Sequence, residues 1–228
     1  MKTLYTTLLI LATFLTGTLQ AQDIRKLDAF SAVDISGAWE VKLIKGSTHE
    51  AKVEGDEEEA KRLVMEVKGN TLEIKRDDTG WRKWGTGKVT IFLTYTSLDE
   101  LRINGASTVS TDETLNAKSL LLKISGASTV SLKVEVSRLN ADISGASTVK
   151  MSGTADEHWI EVSGASNYSA SDVKARTVDV EASGASSAKV HAEESLEARS
   201  YGASSVRYSG NPGKVDADSS GAGSVKKM

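Results

Sequence analysis

Residues 124–128 read "ISGAS", a glycine turn that returns along the chain. It is "INGAS" at 103–107, "ISGAS" at 143–147, "VSGAS" at 162–166, "ASGAS" at 182–186, "SYGAS" at 200–204 and "SSGAG" at 219–223. With Gly105, Gly126, Gly145, Gly164, Gly184, Gly202 and Gly221 as register marks, the spacings are 21, 19, 19, 20, 18 and 19 residues. A period near twenty, held this long, is the mark of a solenoid in which each repeat is one structural unit stacked on the next.

The pattern inside the unit selects strands over helices. Two residues before the glycine stand Ile103, Ile124, Ile143, Val162, Ala182, Ser200 and Ser219. Four before stand Leu101, Leu122, Ala141, Ile160, Val180, Ala198 and Ala217, and the position between carries Arg102, Lys123, Asp142, Glu161, Glu181, Arg199 and Asp218. Apolar at every second residue with charge between is strand periodicity. The reading is an all-β chain, a right-handed parallel β-solenoid (β-helix) of about seven rungs, the hand following from parallel crossovers. Gly permits positive φ at each corner, the following Ala is expected to point inward, and the next Ser or Thr to bond corner backbone. The shrinking series from Ile to Ala to Ser predicts a stack that narrows or loosens toward residue 228.

An earlier copy, Ile35-Ser36-Gly37-Ala38, precedes Gly105 by 68 residues and fits an initial rung with an insertion. Within the insertion, "KGN" at 68–70 predicts a hairpin turn between 64–67 and 71–75. Asp56 with Glu59 predicts the capped start of a short helix near 56–63. Residues 22–100 thus read as a β-rich N-terminal region covering one end of a solenoid at 101–228, with 22–228 forming one continuous domain. The other end, "SVKKM", has no comparable cap; either its lysines discourage edge pairing or a second copy covers it.

Residues 1–21 read as a signal peptide: Lys2, an apolar run from Leu8 to Leu15 too short to span a bilayer, and Ala21 before the cleavage point. The expected location is exported: periplasm, outer-membrane surface or secreted, with no transmembrane span in the mature chain. The sequence holds no cysteine, which removes disulfides, thiolate metal sites and a Cys nucleophile. A net charge of −3 without a basic stripe argues against nucleic acid.

The serial I-S-G-A-S rungs, "FSAVDISGAWEVKLIKG" at 30–46, "VEGDEE" at 53–58 and the leader ending "LQAQ" together resemble the head GIN domain family, labelled autotransporter adhesins. The resemblance spans roughly 28–225. It implies an exported β-solenoid, found mostly in Bacteroidetes, with no catalytic residues to carry over.

Chemistry is sparse. His49, His158 and His191 lie far apart without metal-ligand spacing, His158 falling at an apolar register near a rung edge and His191 in a solvated turn. The glycine-and-Asp calcium nonapeptide is missing, so no metal or cofactor is expected. Asp142, Glu161 and Glu181 form an acidic column in successive rungs, read as a solvated mixed-charge ladder or a seat for a cation. The surface candidate is "DDTGWRKWGTGK" at 77–88, where Trp81 and Trp84, beside Arg82 and Lys83, fit stacking on sugar rings or anchoring of a partner protein. Tyr168, Tyr201 and Tyr208 are further aromatic candidates. The expected function is non-enzymatic binding of glycan or cell-envelope protein. A polysaccharide lyase or hydrolase is the alternative, disfavoured because the rungs leave no long loops to wall a groove.

Overall fold

The computed structural model describes residues 23–77 and 87–228. Strands hold 72% of them and helix 2%, in a β-solenoid of about seven turns. The first rung is β2 (Ala32–Gly37) followed by β3 (Glu40–Lys45), with the chain turning at Gly37 between them. The next is β8 (Glu100–Gly105) followed by β9 (Thr108–Gly126). β9 lies in two walls: its first half pairs with β3 and its second half with β8, all parallel. The same course is repeated by β10 (Thr129–Ile143), β11 (Thr148–Val162), β12 (Asn167–Ala182) and β13 (Ser187–Ser200). β14 (Ser205–Ser209), β15 (Lys214–Ser219) and β16 (Ser224–Lys227) follow. The first wall holds the strands before each corner and the second wall those after it.

Two features of the corner require glycine. Backbone φ is +129° at Gly105, +93° at Gly126 and +80° at Gly145, a region that L side chains avoid. The stacked backbones also approach closely, since a Cβ on Gly126 would lie 2.3 Å from the Gly105 carbonyl oxygen. That clearance opens to 2.8 Å at Gly184 and 3.2 Å at Gly221, so the corners loosen along the chain.

The corner alanines do not point inward. Ala106, Ala127, Ala146, Ala165, Ala185 and Ala203 are exposed, while the serine after each is buried. Alternation runs unbroken through the corner, which turns the residue after Gly out and the next one in. The buried hydroxyls are satisfied by a ladder. Ser128 Oγ donates to the Gly105 carbonyl at 3.1 Å and accepts from the Ser107 N–H at 3.3 Å. Ser147 repeats both contacts on Gly126 and Ser128, at 3.3 and 3.4 Å. Ser107, Ser128, Ser147 and Ser166 thus each answer a corner N–H, whereas Ser186 and Ser204 donate instead to the Val162 and Ala182 carbonyls. Trp39 occupies the first position of this column and donates its backbone N–H to Ser107 Oγ at 3.1 Å.

The corners stay in register although the rungs differ in length, because bulges absorb the surplus. β9 carries extra residues between Ser110 and Thr114, opposite Ser131 and Lys133 of β10. β12 carries one between Ser169 and Asp172, opposite Lys150 and Ser152. β12 and β13 slip again between Ala170 and Ala175 and between Ala175 and Thr177, so the irregularities lie on the second wall and at the bend, away from the glycines.

The insertion between β3 and β8 builds the N-terminal end. β6 (Thr71–Arg76) pairs parallel with β2, and β7 (Val89–Tyr95) pairs parallel with β3. Together they extend the two walls by one further pair of strands. Beyond them β5 (Leu63–Lys68), β4 (Glu50–Gly55) and β1 (Asp23–Lys26) run antiparallel. The hairpin turn places Gly69 at φ +63° between β5 and β6. Asp56 caps α1 (Glu57–Ala60), accepting from the Glu59 N–H at 2.9 Å.

Inside, aliphatic columns run the length of the stack: Ile35, Ile103, Ile124, Ile143, Val162 and Ala182 share one. His158 breaks another. It stands between Leu139 and Val178 in register and is 1% exposed, which places it in the interior instead of at a rung edge. Its Nε2 lies 2.7 Å from the Tyr168 hydroxyl, and Tyr168 is likewise fully buried, not a surface aromatic. Burial lowers the His158 pKa to about 3 and raises that of Tyr168, so both are neutral. His191 lies on β13, not in a turn, with Nδ1 2.9 Å from Ser209 Oγ.

Gly126→Ala and Gly145→Ala are expected to lower unfolding free energy by at least ~2 kcal/mol, from left-handed strain plus backbone collision. Gly221→Ala should cost less, as read by chemical denaturation midpoints. For His158, the unfolded chain takes a proton near pH 6.5 and the folded chain only near pH 3. Stability should therefore fall as pH drops through that window, by up to about 1.4 kcal/mol per unit from this group. In the double variant His158→Leu/Tyr168→Phe, melting temperatures between pH 7 and pH 4 should fall less steeply than in the parent protein; equal slopes would remove His158 as the source.

Candidate functional site

Opposite the glycine corners, the second wall bends back into the first, and here alternation is interrupted. Each rung places two consecutive residues outward: Ser137-Arg138, Asp156-Glu157 and Arg176-Thr177. The doubled outward step swings the chain around the bend and leaves an open concavity of about 550 Å³ lined by Asn116, Ala117, Glu135, Val136, Ser137, Thr154 and Asp156. Three rungs position it, since Asn116, Glu135 and Thr154 are register partners. Ala117 and Val136, neighbours in the next column, supply its aliphatic lining.

The polar groups here differ in how far they are committed. Asn116 Nδ2 donates to the Thr114 carbonyl at 2.9 Å, and Thr177 Oγ1 donates to the Asp156 carbonyl at 3.4 Å. Arg138 pairs with Glu157 at 3.2 Å beside the groove. Further along, Arg176 grips both carboxylate oxygens of Glu194 at 3.0 and 3.1 Å. That bond holds the Glu194 carboxyl below its ordinary range and raises the Arg176 pKa. Among the described residues, Glu135 and Asp156 make no ion pair, so their oxygens remain acceptors. The groove thus offers carboxylates, an amide and hydroxyls beside a small aliphatic surface from Ala117 and Val136.

The outer face of the first wall is flat and charged. Asp142, Glu161 and Glu181 are register partners in adjacent rungs, as are Asn140, Trp159 and Asp179. Arg199 reaches Asp179 at 3.5 Å and bonds Glu197. Burial chiefly, with Glu197 and Glu181 adding to it, raises the Asp179 pKa against the pull of Arg199. The described residues contain no group of three or more acidic, His or Cys side chains placed to hold a metal ion. Trp159 is 41% exposed and stands in the middle of this face. Strand parity points to it, since it lies between the inward His158 and Ile160, yet tryptophans are easily assigned to a core by composition.

Trp81, Arg82, Lys83 and Trp84 lie outside the described residues, within the segment that joins β6 to β7. Tyr208 packs partly buried against the core. His49 is far from the groove, its Nε2 2.9 Å from Thr96 Oγ1 and its ring edge-on to Phe30. No described helix is long and apolar enough to cross a membrane.

A family model described as "Putative auto-transporter adhesin, head GIN domain" matches residues 29–212. Among curated proteins, none matches. Among solved structures, a "putative adhesin" from Bacteroides fragilis is similar at 22% identity with a TM-score of 0.84, covering 91% of this chain and 96% of that one. A "putative adhesin" from Parabacteroides distasonis has 20% identity and a TM-score of 0.74, and a "Putative lipid binding protein" from the same species has 18% and 0.71, each with the same coverage. At these identities the likeness establishes the shared fold.

Proposed function

We propose that this chain, which belongs to the head GIN domain family of auto-transporter adhesins, is an exported, non-enzymatic binding module that takes glycan at the bend groove. The observation that supports the reading most is the groove itself. Glu135 and Asp156 offer uncommitted carboxylate oxygens about an aliphatic floor of Ala117 and Val136, on three rungs whose backbones are fixed by parallel pairing. Carboxylates accept paired hydrogen bonds from neighbouring sugar hydroxyls, and a rigid scaffold lets modest single contacts add up by repetition. The tryptophan segment, with Trp81, Arg82, Lys83 and Trp84, is a second candidate on the strength of its sequence. Export and a place at the cell envelope accord with the leader-like residues 1–21 and with the family's description.

Glycan-array binding followed by titration of the retained glycans tests this reading. Glu135→Gln with Asp156→Asn should weaken binding at least about tenfold, each charge-assisted hydrogen bond contributing ~1.5–3 kcal/mol. Trp81→Ala with Trp84→Ala should leave groove binding unchanged. The reverse outcome moves the site to residues 77–88. Absence of any glycan signal ends the glycan reading, and turnover of a bound polysaccharide reinstates the lyase or hydrolase alternative.

A further inference from the structure

The flat outer face of the first wall is distinct from the bend groove, and Trp159 has no structural reason to be there. Its register column elsewhere carries Glu100, Leu121, Asn140, Asp179, Glu197 and Asp216, so the position asks only for an outward residue. Tryptophan here keeps 41% of its surface in water in the middle of a regular ladder. Around it lie Glu157 and Glu161 on its own strand, Asp142 on β10, and Asp179 and Glu181 on β12. Arg138 answers Glu157, and Arg199 sits a rung beyond Asp179. Asp142, Glu161 and Glu181 make no ion pair among the described residues, although Lys123 is the register partner of Asp142 and Arg199 that of Glu181, so the carboxylates outnumber the cations and the local charge is net negative.

The second wall is the opposite. One of its outward columns runs Lys150, Ser169, Lys189, Arg207 and Lys226, without a carboxylate, while Asp172 and Glu135 stand in columns nearer the bend. Aromatic residues there are already served by cations: Phe92 has Lys42 at 5.4 Å and Lys52 at 5.8 Å from its ring centre. No described Lys or Arg stands over Trp159, though indole is the strongest cation–π acceptor among side chains.

We infer that the first-wall face centred on Trp159 docks an extended basic polypeptide segment, with lysine or arginine side chains seated over the indole and against Glu161, Asp142 and Glu181. Spacing favours a peptide. Glu157, Trp159 and Glu161 face outward at every second residue of β11, about 6.7 Å apart. An extended chain laid along β11 presents its own alternate side chains at that interval. Guanidinium is the better fit, being flat enough to stack on indole while its edge bonds carboxylate.

The test is fluorescence anisotropy of a labelled Arg-Ser-Arg-Ser-Arg peptide with the full chain, against a Glu-Ser-Glu-Ser-Glu control and with spermine as competitor. Binding of the basic peptide alone is expected, weakening several-fold between 50 and 300 mM salt because exposed charges are screened. Trp159→Ala should weaken it at least about fivefold. Glu161→Gln with Asp142→Asn should weaken it and flatten the salt dependence. Each variant should melt with the parent protein, since these side chains lie outside the core, and Glu135→Gln with Asp156→Asn should bind the peptide normally, separating this face from the groove. No binding at 50 mM salt, full binding by Trp159→Ala, or spermine competing as well as unlabelled peptide would overturn the inference. So would Trp159-dependent self-association in sedimentation, which would make the basic second wall of another copy the occupant.

Discussion

The structure depends on one contact: the carbonyl oxygen of each corner glycine lies where the next glycine's side chain would be. Gly105 O receives the Ala127 N–H at 2.8 Å and the Ser128 hydroxyl at 3.1 Å. Both bonds require neighbouring rungs to approach at the ordinary spacing of paired strands while turning sharply, which leaves no room for a Cβ. The chain therefore has a fixed edge. Every rung is registered there, and variation in length is displaced to the second wall and the bend as bulges.

That division of labour shapes what the molecule can offer a ligand. Inward positions are committed to aliphatic columns and outward positions are free, so recognition is written on the walls and on the bend away from the corners. At the bend, two successive outward residues per rung loosen the alternation and open a concavity. On the walls, charge is distributed unevenly, with a predominantly acidic first face and a basic column on the second, although the chain as a whole carries only −3. Net charge alone conceals this, because opposite columns cancel in the sum.

His158 against Tyr168 is a polar departure in an otherwise aliphatic column. The pair sits where leucine and valine stand in other rungs, and the atom His158 Nδ1 has no partner. Keeping an imidazole neutral in such a place removes a proton-binding site that the unfolded chain retains. The serine ladder is the opposite case, since its hydroxyls both donate and accept and the burial of polar atoms is matched group by group.

By itself the sequence determined the coil, its period, the strand alternation and the hairpin at Gly69, because each rests on local spacing and on backbone angles that few residues adopt. The same alternation, carried through the corner, already turns Ala127 outward and Ser128 inward; the expectation of an inward alanine followed size and polarity where parity governed. Three things were decided only by tertiary stacking. The serine acts on a carbonyl and an N–H of a neighbouring rung, about twenty residues distant. His158 meets Tyr168 because two walls enclose them. The groove and the Trp159 face are made by side chains from three or more rungs, and no window of sequence confined to one repeat contains them. A repeat specifies its own fold through neighbours that resemble itself, but its surfaces arise from the positions where successive copies differ.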